Sequence, residues 1–434
     1  MSVVDKFLGV FRVQTEREKR LLILTGLVTA GFLSAVLFHL VQGFVLGRPW
    51  PYNTYLYNPN DRFNDLLRSV HAAATLDPYF QHPQGAYFPF MYVVIFPLGQ
   101  LAPRLMVAIF LASSVAALVA LIVWWNRGAG LDASARRVSL IAGLVFIASL
   151  YPLHFALDRG NFDAWIAPMC LGFVLAVQKR HRWLAVCLIA PAAAMKGFPA
   201  AFLLLLVLDR RYLQMLMAVV LSFGQTVVSS LLLAGGIARS VAGVRAGLAG
   251  FQAEHVIKNG SLHYSTDFFN LLKLGYEYGL WPYDAAAMLL PYHAVTFAIA
   301  ILVVFFVLFV PTRPWRRVYA ICLLVLVFPD VANDYKLLML LPGVLCLVDD
   351  AGDSRHARRV IVLTALLLIP KHYLFLDQEV SVSCVVNPVL MLLLLWQVLG
   401  DGAAWRASFS LAPARLRWYL HLGPAPAPFE GARA

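Results

Sequence analysis

Long apolar runs alternate with short polar breaks from residue 21 to residue 400. Crossing ~30 Å of hydrocarbon takes about 20 apolar residues in a helix, and fewer where neighbouring helices shelter it. By that ruler the pattern predicts about twelve membrane-crossing helices, at about 21–45, 104–126, 138–156, 163–178, 183–196, 197–208, 213–235, 288–310, 317–330, 335–349, 359–376 and 382–400. After the first run comes a long polar loop, about 46–87. The next stretch, 88–103, is apolar but short and holds three prolines, so it reads as a juxtamembrane or re-entrant helix. The expected class is an all-α polytopic membrane protein with juxtamembrane helices in its first outer loop.

Charge orients these runs. Lys6, Arg12, Arg17, Lys19 and Arg20 precede the first of them, and cytoplasmic segments are enriched in Lys and Arg. With the N-terminus inside, every other inner loop is basic too: Arg127/Arg136/Arg137, Lys179/Arg180/Arg182, Arg210/Arg211, Arg313/Arg316/Arg317 and Arg355/Arg358/Arg359. The tail, with Arg406, Arg415, Arg417 and Arg433, falls on the same side. Reading 183–208 as one helix would invert everything downstream and break this pattern. The first run is too long for a cleavable signal and reads as a signal anchor. The expected organisation is one transmembrane unit, 1–400, with outer loops of about 46–103 and 236–287, then a Pro- and Ala-rich cytoplasmic tail, 401–434.

Composition agrees. The chain is 61% hydrophobic and 13% charged, with a mean hydropathy of +0.73. A soluble domain carries about a quarter charged residues, so there is too little polar side chain here to cover a water-facing surface. The net charge of +12 lies in short clusters between apolar runs, which are topology signals and not a nucleic-acid face. Arg greatly outnumbers Lys, which suits a GC-rich bacterial genome and hence a bacterial inner membrane. The five cysteines fall within or beside apolar runs with no metal spacing and no disulfide framework.

The unusual polar residues converge on the outer side. Asp61, Arg62, Asp65 and Arg68 lie in the first loop, and Asp61 and Asp65 would share a helix face at a spacing of four. Asp158-Arg159-Gly-Asn161-Phe-Asp163 joins two runs, and Lys196 opens a Lys-Gly-Phe-Pro turn. His255, Lys258, His263, Tyr264 and Asp267 occupy a later loop, and Asp330, Asn333, Asp334, Tyr335 and Lys336 follow. A lone Lys or Arg at membrane depth costs ~2.5–3.5 kcal/mol, so such groups pair or bind anions. For each singly, the bland account (Arg159 paired with a neighbouring Asp, Lys196 snorkelling) is the stronger one. Jointly, cations facing a carboxylate loop suit a lipid-phosphate substrate, with Arg and Lys holding phosphate and an Asp taking a hydroxyl proton. There is no Asp-x-Asp pair, Walker loop, Cys/His ligand spacing or Gly-x-Ser-x-Gly elbow, so no cofactor or metal requirement is expected.

These stretches resemble the GT-C glycosyltransferases, and within them glycosyltransferase family 87, the polyprenyl-phosphate-mannose-dependent mannosyltransferases. The resemblance rests on Asp65-Leu-Leu-Arg-Ser-Val-His, Tyr87-Phe-Pro-Phe-Met-Tyr, Arg159-Gly-Asn161, Lys196-Gly-Phe-Pro199 and Phe328-Pro-Asp…Asn333-Asp-Tyr-Lys336. It implies a GT-C-type fold and a polyprenyl-phosphate sugar donor, mannose favoured, with a glycolipid or glycan acceptor in the cell envelope and a site facing the periplasm. By position the catalytic Asp maps onto Asp65, with Asp61 as runner-up. Arg159, Lys196 and Lys336 are the donor-phosphate candidates, Lys336 standing near where the family often has a His. Arg62, Asn161, His255, His263, Tyr264 and Asp334 are the candidates for substrate or acceptor binding. Two rivals stand beside this reading. A flippase or transporter of lipid-linked sugars would show paired repeats, which are absent. A lipid-linked oligosaccharide ligase would use Arg245, His255 or His263.

Overall fold

The computed structural model describes residues 15–424, apart from 57–58, 82–84, 86, 128–129, 258–264, 281, 283, 351, 353, 376–379 and 423. The described residues are mostly helical and form no strand, only isolated bridges between Ser265 and Asn333 and between Phe375 and Ser381. Helical segments overlap the expected positions, but 138–156 divides into two helices, and 197–208 and 335–349 are each a 3-10 turn followed by a short α-helix. Five are long and apolar enough to cross a membrane: Glu16–Val45, Pro103–Arg127, Tyr212–Leu232, Ala287–Phe309 and Val382–Leu399. A sixth is a pair, Ala133–Ala148 and Tyr151–Arg159, bent by 47°. The chain is a multi-pass, all-helical membrane protein.

Burial explains the short helices. In Pro314–Val327 every residue after Pro314 is buried, whereas in Tyr212–Leu232 only Gln214, Ala218, Ser229 and Ser230 are. At 1.5 Å per residue the former is about 21 Å long, short of a bilayer. A helix apolar on every side is packed inside protein and need not match lipid thickness. Asp163–Gln178 is likewise a core helix, exposing little beyond its ends.

Local signals set the ends that matter. Thr15 and Glu18 form a reciprocal capping box that starts the first helix. Pro152, near the start of Tyr151–Arg159, cannot donate to the preceding turn, and the bend falls there. Helix Gly236–Gln252 lies against the first outer loop, with Arg239 bound to Asp77 at 2.6 Å and Ala234 N–H bonded to the Leu76 carbonyl at 2.8 Å. The tail opens with a helix, Gly402–Tyr419, docked on the end of Ala285–Phe309: Trp405 stacks on Phe305 and Tyr419 Oη donates to the Leu308 carbonyl.

Candidate active site

Helix Tyr151–Arg159 ends at Gly160, whose φ of +68° lies in the left-handed region. A Cβ there would sit 2.5 Å from the Leu66 Cβ, so only glycine lets the turn touch the first outer loop this closely. The loop answers with Phe63, also left-handed, whose N–H donates to the Asp158 carbonyl at 2.7 Å. Phe63 starts helix Asn64–Ala74, which puts Asp65 in its first turn. Asp65 therefore faces the Arg159–Asp163 turn. Its Oδ1 accepts from Arg159 Nη2 at 2.5 Å and its Oδ2 from Asn161 Nδ2 at 2.9 Å. Asn161 Oδ1 in turn accepts the Asp163 backbone N–H at 3.0 Å, so one amide ties the Asp65 carboxylate to the main chain at Asp163.

Asp163 is fully buried and binds Lys196 Nζ at 2.7 Å. Lys196 ends helix Arg182–Met195 in extended conformation, and its ammonium lies 5.0 Å over the Tyr87 ring. The Tyr87-Phe-Pro-Phe stretch is pinned there, because Phe88 N–H donates to the Met195 carbonyl at 3.3 Å. Phe198 then carries the next cation: Lys336 Nζ lies 5.1 Å over its ring. The Lys336 backbone N–H donates to the Asn333 carbonyl at 2.8 Å, but its ammonium makes no hydrogen bond or ion pair among the described residues and sits within electrostatic reach of Asp163 and Lys196. Asp65, Arg159, Asn161, Lys196 and Lys336 all line one cavity of about 1340 Å³. That exceeds the ~300–1,000 Å³ of a typical small-ligand site and leaves room for two substrates.

The other expected residues divide. Asp61 lines the cavity but lies in a 3-10 turn, Pro59–Asp61, before the left-handed break at Phe63, so the helix face it was expected to share with Asp65 does not exist. His255 lines it from a π-helical turn, Ala253–Ile257, with its ring 4.5 Å from that of Phe251. Arg62 is not among the lining residues; it is half-exposed, 3.5 Å from Asp158. Asp334 points away into the bundle, accepting from Tyr151 Oη at 3.1 Å and Asn387 Nδ2 at 3.3 Å. His263 and Tyr264 lie outside the described residues.

The lining groups that sequence reasoning missed include His293 and Gln252. His293 Nε2 meets Asp330 at 2.7 Å, and Gln252 Nε2 donates to the same carboxylate at 3.3 Å. A signal for His293 existed, since it is the one His or charged residue in helix Ala285–Phe309. Below them the loop of about 236–287 is tied to the Phe328–Lys336 stretch. Thr266 N–H donates to the Ala332 carbonyl at 2.7 Å, and buried Asp267 accepts the Asn270 N–H at 2.9 Å. Burial pushes the Asp267 carboxyl up, opposed by Ser265 and Lys273. It pushes Lys273 down to about 8, opposed by Asp267; Lys273 holds the His255 carbonyl. The His255 imidazole is pushed down by burial, with smaller opposing influences from Glu254 and Asp65. Among the described residues no three His, Cys, Asp or Glu side chains gather closely enough to hold a metal ion.

No curated protein and no solved structure matches the chain significantly. A family model does, that of glycosyltransferase family 87, over residues 86–329. The match covers more than half the chain and includes the Tyr87 stretch, the Arg159–Asp163 turn, Lys196, His255 and the helix bearing His293, and on that ground the chain belongs to glycosyltransferase family 87.

Proposed function

We propose that the chain transfers a hexose, mannose favoured, from a polyprenyl-phosphate donor to a cell-envelope glycolipid or glycan. In this reading it has a GT-C-type fold with about twelve crossings, both termini in the cytoplasm and the cavity facing the periplasm of a bacterial inner membrane. The basic loops on one side and the helical segments overlapping the expected crossings support that topology. One observation carries the activity: the Asp65 carboxylate shares the lining of a single large cavity with Arg159, Lys196 and Lys336.

The donor's chain would lie along Leu248, Leu290 and Phe297, apolar lining residues that are 49%, 77% and 60% exposed. Lys336, Lys196 and Arg159 would hold its phosphate. A guanidinium carries five N–H donors in a planar fork, so one Arg can bond a carboxylate and a phosphate together. Asp65, fixed in aim by Arg159 and Asn161, would take the proton of an acceptor hydroxyl. The hydroxyl oxygen bonds to the anomeric carbon as the carbon–phosphate oxygen bond breaks, inverting configuration and releasing polyprenyl phosphate. General-base help is worth about 10²–10⁴-fold, and stabilising a departing oxyanion about 10²–10³-fold.

The test is purified protein incubated with radiolabelled polyprenyl-phosphate mannose, glucose and arabinose against a panel of envelope acceptors, with the product's anomeric configuration read by NMR. Transfer with inversion is expected; no transfer from any polyprenyl-phosphate donor would sink the reading. His255→Ala and His263→Ala together separate it from the ligase alternative, which needs one of the two imidazoles, since here turnover should fall less than tenfold in each.

A further inference from the structure

The cavity has two polar poles of different chemistry. Every Lys and Arg in its lining, namely Arg68, Arg159, Lys196 and Lys336, belongs to the elements around Asp65 and Asp163. The second pole, formed by the end of Gly236–Gln252, the π-turn after it, helix Ala285–Phe309 and the Phe328–Asp330 corner, contributes none to that lining. Its polar side chains are Gln252, Glu254, His255, His293, Thr296 and Asp330. Three of these are joined: Asp330 accepts from His293 through Oδ1 and from Gln252 through Oδ2. The carboxylate is thereby held in place yet remains reachable, with side-chain exposures of 24% for Asp330 and 48% for His293. The poles are close, because His255 feels the charges of both Asp65 and Arg159.

An anionic group would meet two carboxylates at the second pole and no lining cation. A sugar's hydroxyls would meet acceptors and donors together, the mixture that carboxylate, imidazole and amide supply. Resting on the glycosyl-transfer reading above, we propose that the Gln252–His293–Asp330 cluster is the acceptor subsite and selects an uncharged sugar residue there. Specificity then comes partly from repulsion, since Asp330 disfavours a uronic acid or phosphorylated sugar at this position. Asp330 and Gln252 bond the acceptor's non-reacting hydroxyls, and His293 orients Asp330 through its Nε2–H, with Nδ1 placed to accept from the sugar. The reacting hydroxyl is thereby directed back toward Asp65.

The test uses the full chain in lipid nanodiscs and saturation-transfer NMR with methyl α-mannoside, methyl α-glucoside and methyl glucuronide. The wild type should give saturation transfer to at least one neutral glycoside, at least tenfold stronger than to the glucuronide. Asp330→Asn should narrow that ratio to less than threefold, and His293→Ala should weaken the neutral signal at least fivefold. His293→Gln, whose amide can still reach Asp330, should recover half of it or more. Binding of polyprenyl phosphate, measured in parallel, should change less than twofold in all three variants, which a merely unfolded protein would not show. No saturation of any neutral glycoside by the wild type, or an unchanged ratio in Asp330→Asn, overturns the assignment. Failure of the wild type to bind polyprenyl phosphate would instead count against the donor reading, so the two failures are distinguishable.

Discussion

At the end of the bundle where the first helix begins, Arg17 binds Asp349 at 2.6 Å and its guanidinium lies 4.0 Å over Trp125, whose Nε1–H donates to the same carboxylate. Arg20, 0% exposed, donates to the Leu347 and Gly352 carbonyls, while Asp350 beside it is held by Arg313 at 2.9 Å. At the opposite end, Arg159 binds Asp65 at 2.5 Å and Lys196 binds Asp163 at 2.7 Å. The residue types and the pairing are the same. What differs is the space beside them. The first set ties the ends of several helices together, and no side chain of Arg17, Arg20 or Asp349 lines the large cavity. The second set surrounds it. Ion pairing alone therefore does not mark a site; pairing next to a void large enough for substrate does.

That contrast can be broken by substitution. Asp65→Asn should reduce transfer at least a hundredfold, about 2.7 kcal/mol of transition-state stabilisation, with thermal stability unchanged; near-normal transfer would remove Asp65 from the role of base. Arg20→Ala should do the converse. Loss of a buried, multiply bonded guanidinium costs ~3 kcal/mol of stability, read as a lower melting temperature in detergent, with kcat of the surviving protein within threefold of wild type. A catalytic defect out of proportion to stability would show that the two ends are coupled. Lys336→Ala should lower kcat/KM for the polyprenyl-phosphate donor by roughly 10- to 100-fold, the ~1.5–3 kcal/mol of a charged hydrogen bond, and Lys336→Arg should restore part of it. The smallest effect belongs to Arg62→Ala: a half-exposed pair at 3.5 Å is worth ~0.2–1 kcal/mol, so transfer should stay within about fivefold of wild type and stability within ~1 kcal/mol.

The candidate site was legible in the sequence where polar residues interrupt apolar runs. Asp65, Arg159, Asn161, Lys196 and Lys336 each stand at such a break, and each lines the cavity. Arg62 and Asp334 met the same criterion and fell elsewhere, because one residue's shift along a turn redirects a side chain to water or to the helix interior. His293 was missed although it interrupts an apolar helix, since attention went to loops. Its partners Asp330 and Gln252 come from segments 78 residues apart, and no local pattern joins them.

Membrane residence, helical class and the helix positions follow from the chain by itself. Apolar side chains leave water wherever they lie, and a backbone in lipid must satisfy its own hydrogen bonds. Which helices face lipid and which are enclosed was decided only by packing, so Pro314–Val327 and Tyr212–Leu232 look alike in hydropathy and differ almost completely in burial. The cavity is likewise a tertiary product. It exists because Gly160 admits Leu66 at close range and a π-turn places His255 in the same lining as Arg159, arrangements of residues far apart in the chain that no spacing along it encodes.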